Sequence, residues 1–279
     1  MPTTAMPTTA MPTQVAVIGD VHGHAARLRE LVGLLRGRHP GITIYQTGDL
    51  IDRGPDSKGV LQVCIDEGIR CVIGNHETWL HQYLTTGHFD SFALHRSMKG
   101  QATLQSYGVD SVDPGTIERT LRHKVPAEHR AFILGLPLWR KFKAGQETYR
   151  LCHASLKESS AVSLLPQATA LAVERGCSVD DALCAVVGAR SPASVLWTAN
   201  SFKEPAFYRF PDGSFQVFGH TPTPGGRVVI GGHWVAVDVG CGTRREMLSA
   251  VLLPGEGEIT VGPGVISGRG SGGFTEFGL

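Results

Sequence analysis

GDVHG (19–23), GDLIDRG (48–54) and GNHE (74–77) are the three blocks that decide this fold. Each block follows a short β-branched run and leads into a stretch with helical spacing. In an open α/β sheet, ligands bind at the edge where the strands end. We therefore expect the polar side chains of the three blocks to meet at one such edge. They are Asp20, His22, Asp49, Asp52, Arg53, Asn75 and His76.

Strands and helices alternate around these blocks, which predicts βαβ units and a mainly parallel sheet. The helical assignments rest on apolar residues that recur with a period near 3.6. In the first helix this stripe consists of Leu28, Leu31, Val32 and Leu35. The predicted elements are strands at 15–18, 42–46 and 70–73 and helices at 25–36, 57–67 and 77–84.

The second half of the chain contains further strand-like runs and two more candidate ligands. A hairpin at 138–143 and 148–152 ends in His153, and a strand at 215–218 ends at His220. We interpret residues 155–195 as an insertion and a candidate cap over the site. The later runs are expected to be antiparallel strands; besides 215–218, they are 227–230, 234–239 and 247–253.

The two ends of the chain have biased compositions. Residues 1–13 repeat a Pro- and Thr-rich unit of low hydrophobicity, which predicts a disordered leader. Residues 263–279 are rich in Gly and Ser, which predicts a flexible tail. We therefore assign the catalytic domain to residues 14–253.

Composition excludes some functions. With 42% hydrophobic residues and a formal net charge of +1 over 279 residues, the chain lacks the charge excess typical of proteins that bind nucleic acid or anionic membranes. We expect neither partner. No secretory signal or spanning run is evident, so we expect a cytoplasmic protein. The oligomeric state is left open.

The ligand types predict a pair of divalent cations. Two cations close together, joined by a bridging carboxylate, can activate one water and clamp phosphoryl oxygens. Asp20 and His22 suit one cation, and Asp49 suits the bridge. Histidine with carboxylate favours Mn, Fe or Zn over Ca or Mg, and we expect Mn. The ligands predicted to complete the second site are Asn75, His153 and His220.

Two further roles follow from the same blocks. Arg53 offers a planar fork that matches a phosphate. His76 is a candidate acid for the leaving oxygen, oriented by Asp52 through its other ring nitrogen. Any one of these short motifs alone is usually a surface turn. Three of them in order, each after a strand, are not.

The chain resembles the metal-dependent phosphoprotein phosphatases of the calcineurin-like metallophosphoesterase superfamily, and the small bacterial and phage-type serine/threonine phosphatases most closely. Besides the three opening blocks, the resemblance rests on CHAS (152–155), FGHTP (218–222) and VDVGCG (237–242), and it covers about residues 15–253. It implies an α/β (α+β) fold of two mixed β-sheets packed as a sandwich and flanked by helices. It also implies in-line attack of water on phosphorus.

The same resemblance implies roles for individual residues. The first metal would be held by Asp20, His22 and Asp49. Arg53 would bind the substrate phosphate, and His76 with Asp52 would protonate the leaving group. The second metal would be held by Asp49, Asn75, His153 and His220.

Two departures from the family pattern bear on the substrate. Relatives carry an arginine before GNHE, where this chain has Ile73. Phage-type members also carry a second phosphate-binding arginine after a Leu-Trp pair, but Trp197 is followed here by Thr-Ala-Asn. Asn200 would then be a weaker, neutral substrate-binding donor. Alternatively, Arg190 or Arg209 would reach in. We expect activity with an altered substrate preference.

The lead hypothesis is a serine/threonine protein phosphatase that also acts on small phosphoesters. The alternative within enzymes is a hydrolase of diadenosine tetraphosphate or another nucleotide. That enzyme needs stacking groups near the site, for which Phe202, Phe207 and Tyr208 are the candidates. The alternative from another class is a non-catalytic module that binds phosphopeptides.

Overall fold

The computed structural model describes residues 14–203, 205–255, 257–263, 265–270 and 273–277. The predicted leader, residues 1–13, lies outside the described residues.

The first half of the chain alternates strand and helix as predicted. Strands β1, β2 and β3 are parallel neighbours. A helix lies between each pair and provides the crossover connection that parallel strands need. The apolar stripe of α1 is buried, as its spacing predicted. The elements are β1 (Val15–Ile18), α1 (Ala25–Arg38), β2 (Thr43–Gln46), α2 (Ser57–Asp66), β3 (Arg70–Cys71) and α3 (Glu77–Thr86).

Three short helices follow and cover one face of this sheet. Helix α5 begins where the Asp113 carboxylate caps the backbone N–H of Thr116, with Pro114 as its first residue. Apolar side chains from all three helices join the core on the helical face of the first sheet. The helices are α4 (Gln101–Ser106), α5 (Pro114–Lys124) and α6 (Ala127–Leu134).

The second sheet corrects one prediction. Its order is β4-β5-β6-β8-β7. Strand β6 pairs in parallel with β8, whereas antiparallel pairing of these two runs was expected, and β7 pairs with β8 in the expected antiparallel way. Strand β6 also pairs in parallel with β5. Parallel neighbours need a long crossover, and α7 and α8 supply it between β5 and β6. The elements are β4 (Arg140–Ala144), β5 (Glu147–Leu151), α7 (Glu158–Arg175), α8 (Val179–Arg190), β6 (Phe215–Phe218), β7 (Val229–Ile230) and β8 (Trp234–Ala236).

The two sheets pack face to face, which confirms the predicted two mixed sheets with flanking helices. Alternation along β1 shows how: Val15 and Val17 enter the core between the sheets, whereas Ala16 and Ile18 face the helices. The second sheet contributes Leu151, among others, to the shared core.

Within the segment 263–279, predicted as a flexible tail, the described residues 265–270 and 273–277 form two strands. They extend the first sheet past β9 and β10, so the sheet continues beyond residue 253, where the catalytic domain was predicted to end. The sequence does not predict these strands, because a segment rich in Gly and Ser lacks the alternation of apolar and polar residues that indicates a strand. The strands are β9 (Leu248–Leu253), β10 (Gly257–Gly262), β11 (Val265–Gly270) and β12 (Gly273–Phe277).

The insertion forms a helical pair on the outer face of the second sheet. The alanine-rich faces of α7 and α8 pack with Leu156, Tyr208 and Phe210. Among the helices of the described residues, none combines the length and apolar character needed to cross a bilayer. A role as a cap over the site stays a prediction.

Arg150 ties this helical pair to the sheet. Its side chain is 2% exposed and donates hydrogen bonds of 2.7 Å to both Asp181 and Asp212 and of 2.8 Å to Ser214. Burial acts to raise the pKa of Asp181, but hydrogen bonds from Lys141 and Arg150 lower it to about 2.

We expect Arg150→Met to lower the free energy of unfolding by about 1–3 kcal/mol, because two carboxylates lose a buried partner yet remain partly hydrated. Lys141→Met is the matched control: it removes an exposed partner of the same Asp181 and should cost less than about 1 kcal/mol. Urea denaturation measures both. A depressed carboxyl pKa stabilises above the unfolded pKa, so the Arg150 effect should shrink as pH falls from about 4 toward about 2. Equal losses in the two variants would contradict this account.

Candidate functional site

The two sheets deliver their polar strand ends to one edge. The first sheet contributes residues that follow β1, β2 and β3, as predicted. The second contributes residues that follow β5 and β6, whose parallel pairing places both ends on the same side. The Gly219 N–H donates to the His153 carbonyl over 2.8 Å, which joins those two ends. Most side chains gathered there are buried; the predicted ligands are Asp20, His22, Asp49, Asn75, His153 and His220.

Asp49 is shared by two groups of candidate donors. One group is His22, Asp49 and His76, and the other is Asp49, His153 and His220; within each, the donor atoms lie within 4.8 Å of one another. The Asn75 Oδ1 lies 2.9 Å from the His153 Nε2 and 3.0 Å from the His220 Nδ1. Asp49 is therefore common to both groups, as a bridging carboxylate would have to be.

Asp20 lies beside these groups but in neither. Its carboxylate accepts hydrogen bonds of 2.9 Å from the Thr47 hydroxyl and from the His220 backbone N–H. Burial raises the pKa of Asp20, and the neighbouring Asp238 carboxylate raises it further. The two buried acids repel each other, and a cation bound beside Asp20 would relieve this repulsion.

Hydrogen bonds orient two of the imidazoles toward the cluster. The His22 Nδ1 donates to the Ile51 carbonyl over 3.1 Å, and the His153 Nδ1 donates to the Thr47 carbonyl over 2.9 Å. Metal-binding histidines are held in this way, with the second nitrogen left free for the cation. Imidazole, carboxylate and amide donors thus fit a pair of divalent cations.

His76 and Asp52 form the pair that the sequence predicted. The His76 Nδ1 donates to the Asp52 carboxylate over 2.8 Å. Trp79 and Thr103 also donate to Asp52, over 3.1 Å and 2.7 Å, and hold the carboxylate in place. The His76 Nε2 is thereby turned toward the donor groups.

Arg53 lies between the two imidazoles of the first group. Its guanidinium is 2.8 Å from the His22 Nε2 and 3.1 Å from the His76 Nε2. It therefore borders the position where both a cation and a phosphate would bind. The half-buried side chain keeps one side open to solvent.

The backbone at the site is strained. Among the described residues, seven that are not glycine have a positive φ, a conformation that costs free energy and clusters at functional sites. Five of the seven are predicted site residues: His22, Asp49, Asp52, Arg53 and His220.

Glu77 is a site residue whose role the sequence reasoning missed. Its buried carboxylate accepts the backbone N–H groups of Asp49, Leu50, Ile51 and Gly74, at 2.7–3.2 Å. It thereby binds the loop after β2 to the loop after β3. Burial raises the pKa of Glu77 to about 7, and Asp49 adds to that effect. The available signal was an acid directly after Asn75 and His76, at the first turn of α3.

Three residues were predicted as possible replacements for the second phosphate-binding arginine of phage-type members, and each lies in a different environment. The Asn200 side chain accepts a hydrogen bond from Ser155 over 2.5 Å and donates to the Gly219 carbonyl over 3.4 Å. It supports the loop before His220, and its role toward substrate stays a prediction. Arg190 lines a groove between α7 and α8. Arg209 is exposed.

Two of the three predicted stacking groups are core residues, and the third is partly buried. Phe207 and Tyr208 are buried at 3% and 6% exposure, and Phe202 packs against the Phe207 cluster. Other side chains pack against the buried rings, which are therefore not available to stack on a nucleobase. Among the residues whose exposure the structure describes, Phe92 and Trp197 have exposed aromatic rings, at 45% and 43%, and their centroids are 6.0 Å apart.

Parts of the chain are similar in sequence, and the whole is similar in fold, to known proteins. The chain is 38% identical over 65 residues to a symmetrical bis(5'-nucleosyl)-tetraphosphatase of Neisseria gonorrhoeae and 42% identical over 66 residues to one of Edwardsiella ictaluri. Each match covers 23% of this chain and 24% of the relative, so only about a quarter of their length is spanned. A solved structure described as a "putative diadenosine tetraphosphatase" shares the fold, with a TM-score of 0.57, 20% identity and coverage of 92% and 96% of the two chains. The sequence model of calcineurin-like phosphoesterases matches residues 13–234, and with the paired donor groups at the strand ends this shows that the chain belongs to that family.

Proposed function

We propose that the protein is a metal-dependent phosphomonoesterase that acts as a serine/threonine protein phosphatase. The observation that carries the proposal is the shared Asp49 between two donor groups, with Arg53 and the His76–Asp52 pair beside it. The predicted cofactor is a pair of divalent cations, with Mn preferred and Fe or Zn as alternatives.

Each part of the site has a task in hydrolysis. Bound cations would supply Lewis-acid polarisation of the phosphoryl oxygens and a more acidic water. Arg53 would hold the phosphate through its planar fork. His76 would give its Nε2 proton to the leaving oxygen, while Asp52 stabilises the charged ring. The P–O bond to the leaving group breaks as the bond from water to phosphorus forms.

A hydrolase of dinucleoside polyphosphates is the second candidate. The partial likeness to symmetrical tetraphosphatases supports it, and so does the exposed Phe92–Trp197 pair. Phe92 lies seven residues before Lys99, whose backbone carbonyl accepts a hydrogen bond from the Arg53 backbone N–H. Trp197 lies two residues after Val195, whose carbonyl accepts a hydrogen bond from the Ala154 backbone N–H. Short chain segments thus connect the two rings to residues beside the site, and a nucleobase could stack on their exposed faces.

Turnover of para-nitrophenyl phosphate with added Mn tests the enzyme proposal. We expect hydrolysis that depends on Mn and falls about tenfold to hundredfold in Asp20→Asn, because a predicted ligand of the first cation is lost. No hydrolysis, with phosphopeptide binding intact, would favour the non-catalytic module. A rate panel of phosphoserine and phosphothreonine peptides against diadenosine tetraphosphate then separates the two enzyme candidates.

A further inference from the structure

A cavity of about 490 Å³ opens beside Arg53. Its walls come from distant parts of the chain: the loop after β2, the segment before α4 and the loop before β9. Among its lining residues, the sequence predicted a role only for Arg53, and Gly242 ends the VDVGCG motif. The lining is His24, Arg53, Lys99, Gly242, Thr243, Arg244 and Glu246.

The cavity is continuous with the donor cluster. The Arg53 backbone N–H donates to the Lys99 carbonyl over 3.4 Å, so the two cationic residues are held side by side. On the opposite wall, Gly242 lies against His22: a Cβ added there would come 2.6 Å from the His22 Cβ. Arg53 and the wall near His22 therefore belong to both the cavity and the site.

The charge of the cavity favours an anion. The lining has three cationic side chains, those of Arg53, Lys99 and Arg244, and one carboxylate, that of Glu246. Within the part of the chain that the structure describes, the side chains of Lys99 and Arg244 make no ion pair or hydrogen bond. Both are exposed and so available to a ligand.

Backbone strain marks the same cavity independently. Of the seven non-glycine residues with positive φ in the described chain, five are the predicted site residues given above. The other two are Lys99, at 56°, and Glu246, at 48°, and both line this cavity. Such conformations persist where the surroundings enforce them, commonly at functional sites.

We propose that this cavity binds a second phosphate group of the substrate while Arg53 holds the phosphate that is hydrolysed. The proposal rests on the proposed function and names its substrate class: molecules with at least two phosphate groups. A dinucleoside polyphosphate and a doubly phosphorylated peptide share this chemistry. Lys99 and Arg244 bind the second phosphate, and Glu246 limits how much negative charge the cavity accepts.

The test compares kcat/KM for substrates with several phosphates and with one, at fixed free Mn. The pairs are diadenosine tetraphosphate against para-nitrophenyl phosphate, and a doubly against a singly phosphorylated serine peptide. We expect Lys99→Gln and Arg244→Gln each to lower this ratio about threefold to tenfold, the range for partly exposed charge pairs. Glu246→Gln should raise it. Lys143→Gln, on the exposed side of β4, is the control and should match the wild type.

The outcomes test the proposed role of the cavity separately from the proposed phosphatase activity. Unchanged ratios in both cationic variants, or a fall in Glu246→Gln, would overturn the proposal while leaving the phosphatase standing. If the wild type hydrolyses nothing, calorimetric binding of the doubly phosphorylated peptide to wild type and Lys99→Gln still decides the cavity. The pair whose ratio responds identifies the source of the second phosphate.

Discussion

Replacing His76 with asparagine is expected to lower kcat on a phosphoserine peptide by about 10²- to 10⁴-fold, the usual contribution of a general acid. The Nδ1 of His76 is engaged by Asp52 at 2.8 Å, which leaves Nε2 as the atom that can reach a leaving oxygen. A serine alkoxide is a poor leaving group and needs that proton. The loss should be much smaller with para-nitrophenyl phosphate, whose phenolate leaves as a stable anion.

The comparison of the two substrates is the decisive measurement. His123→Asn, in the exposed last turn of α5, is the matched control and should leave both rates unchanged. Asp52→Asn should reproduce the substrate dependence to a smaller degree, because it disorients the same ring. Equal losses on both substrates would contradict proton donation and indicate that His76 acts by positioning Arg53.

Replacing Glu77 with alanine is expected to cost about 3 to 5 kcal/mol of unfolding free energy, because buried backbone donors lose their acceptor. The groups left unpaired belong to the loop that carries Asp49 and to Gly74. The same loops carry the candidate metal donors. We therefore also expect Mn affinity to fall about tenfold to hundredfold, as for other supports of metal ligands.

Urea denaturation and Mn titration measure the two effects. Glu67→Gln is the control: its carboxylate is 40% exposed and pairs with Arg36 at 3.4 Å, so its loss should cost less than about 1 kcal/mol. Glu77→Gln, which keeps one acceptor oxygen, should fall between the two. A Glu77→Ala protein as stable as Glu67→Gln would show that the four contacts contribute little.

Local sequence predicted the first sheet and its donors well. Strand, turn and helix signals lie within a few residues of one another, and parallel βαβ units follow from their alternation. Asp20, Asp49 and Asn75 consequently occupy the expected edge. His76 and Asp52 also lie within hydrogen-bonding distance, as their positions in neighbouring blocks predicted.

Long-range pairing was less predictable. The runs at 215–218 and 234–239 were expected to be antiparallel strands, but β6 and β8 lie in parallel. The strands before His153 and His220 are also parallel, because α7 and α8 carry the chain back across the sheet. That crossover has no clear periodicity in sequence. The strands of the Gly- and Ser-rich segment 263–279 were missed for a related reason: their pairing partners, and not their own composition, order them.

The three opening blocks by themselves determined the chemistry, because each places acid, imidazole and amide side chains directly after a strand. The tertiary structure alone decided which distant groups complete the site. It placed the Glu77 carboxylate within hydrogen-bonding distance of two loops. It also placed Lys99 and Arg244, 145 positions apart in the chain, in one cavity with Arg53. The physical reason is that strand ends are encoded by neighbouring residues, whereas a shared cavity depends on how sheets and loops pack across the whole chain.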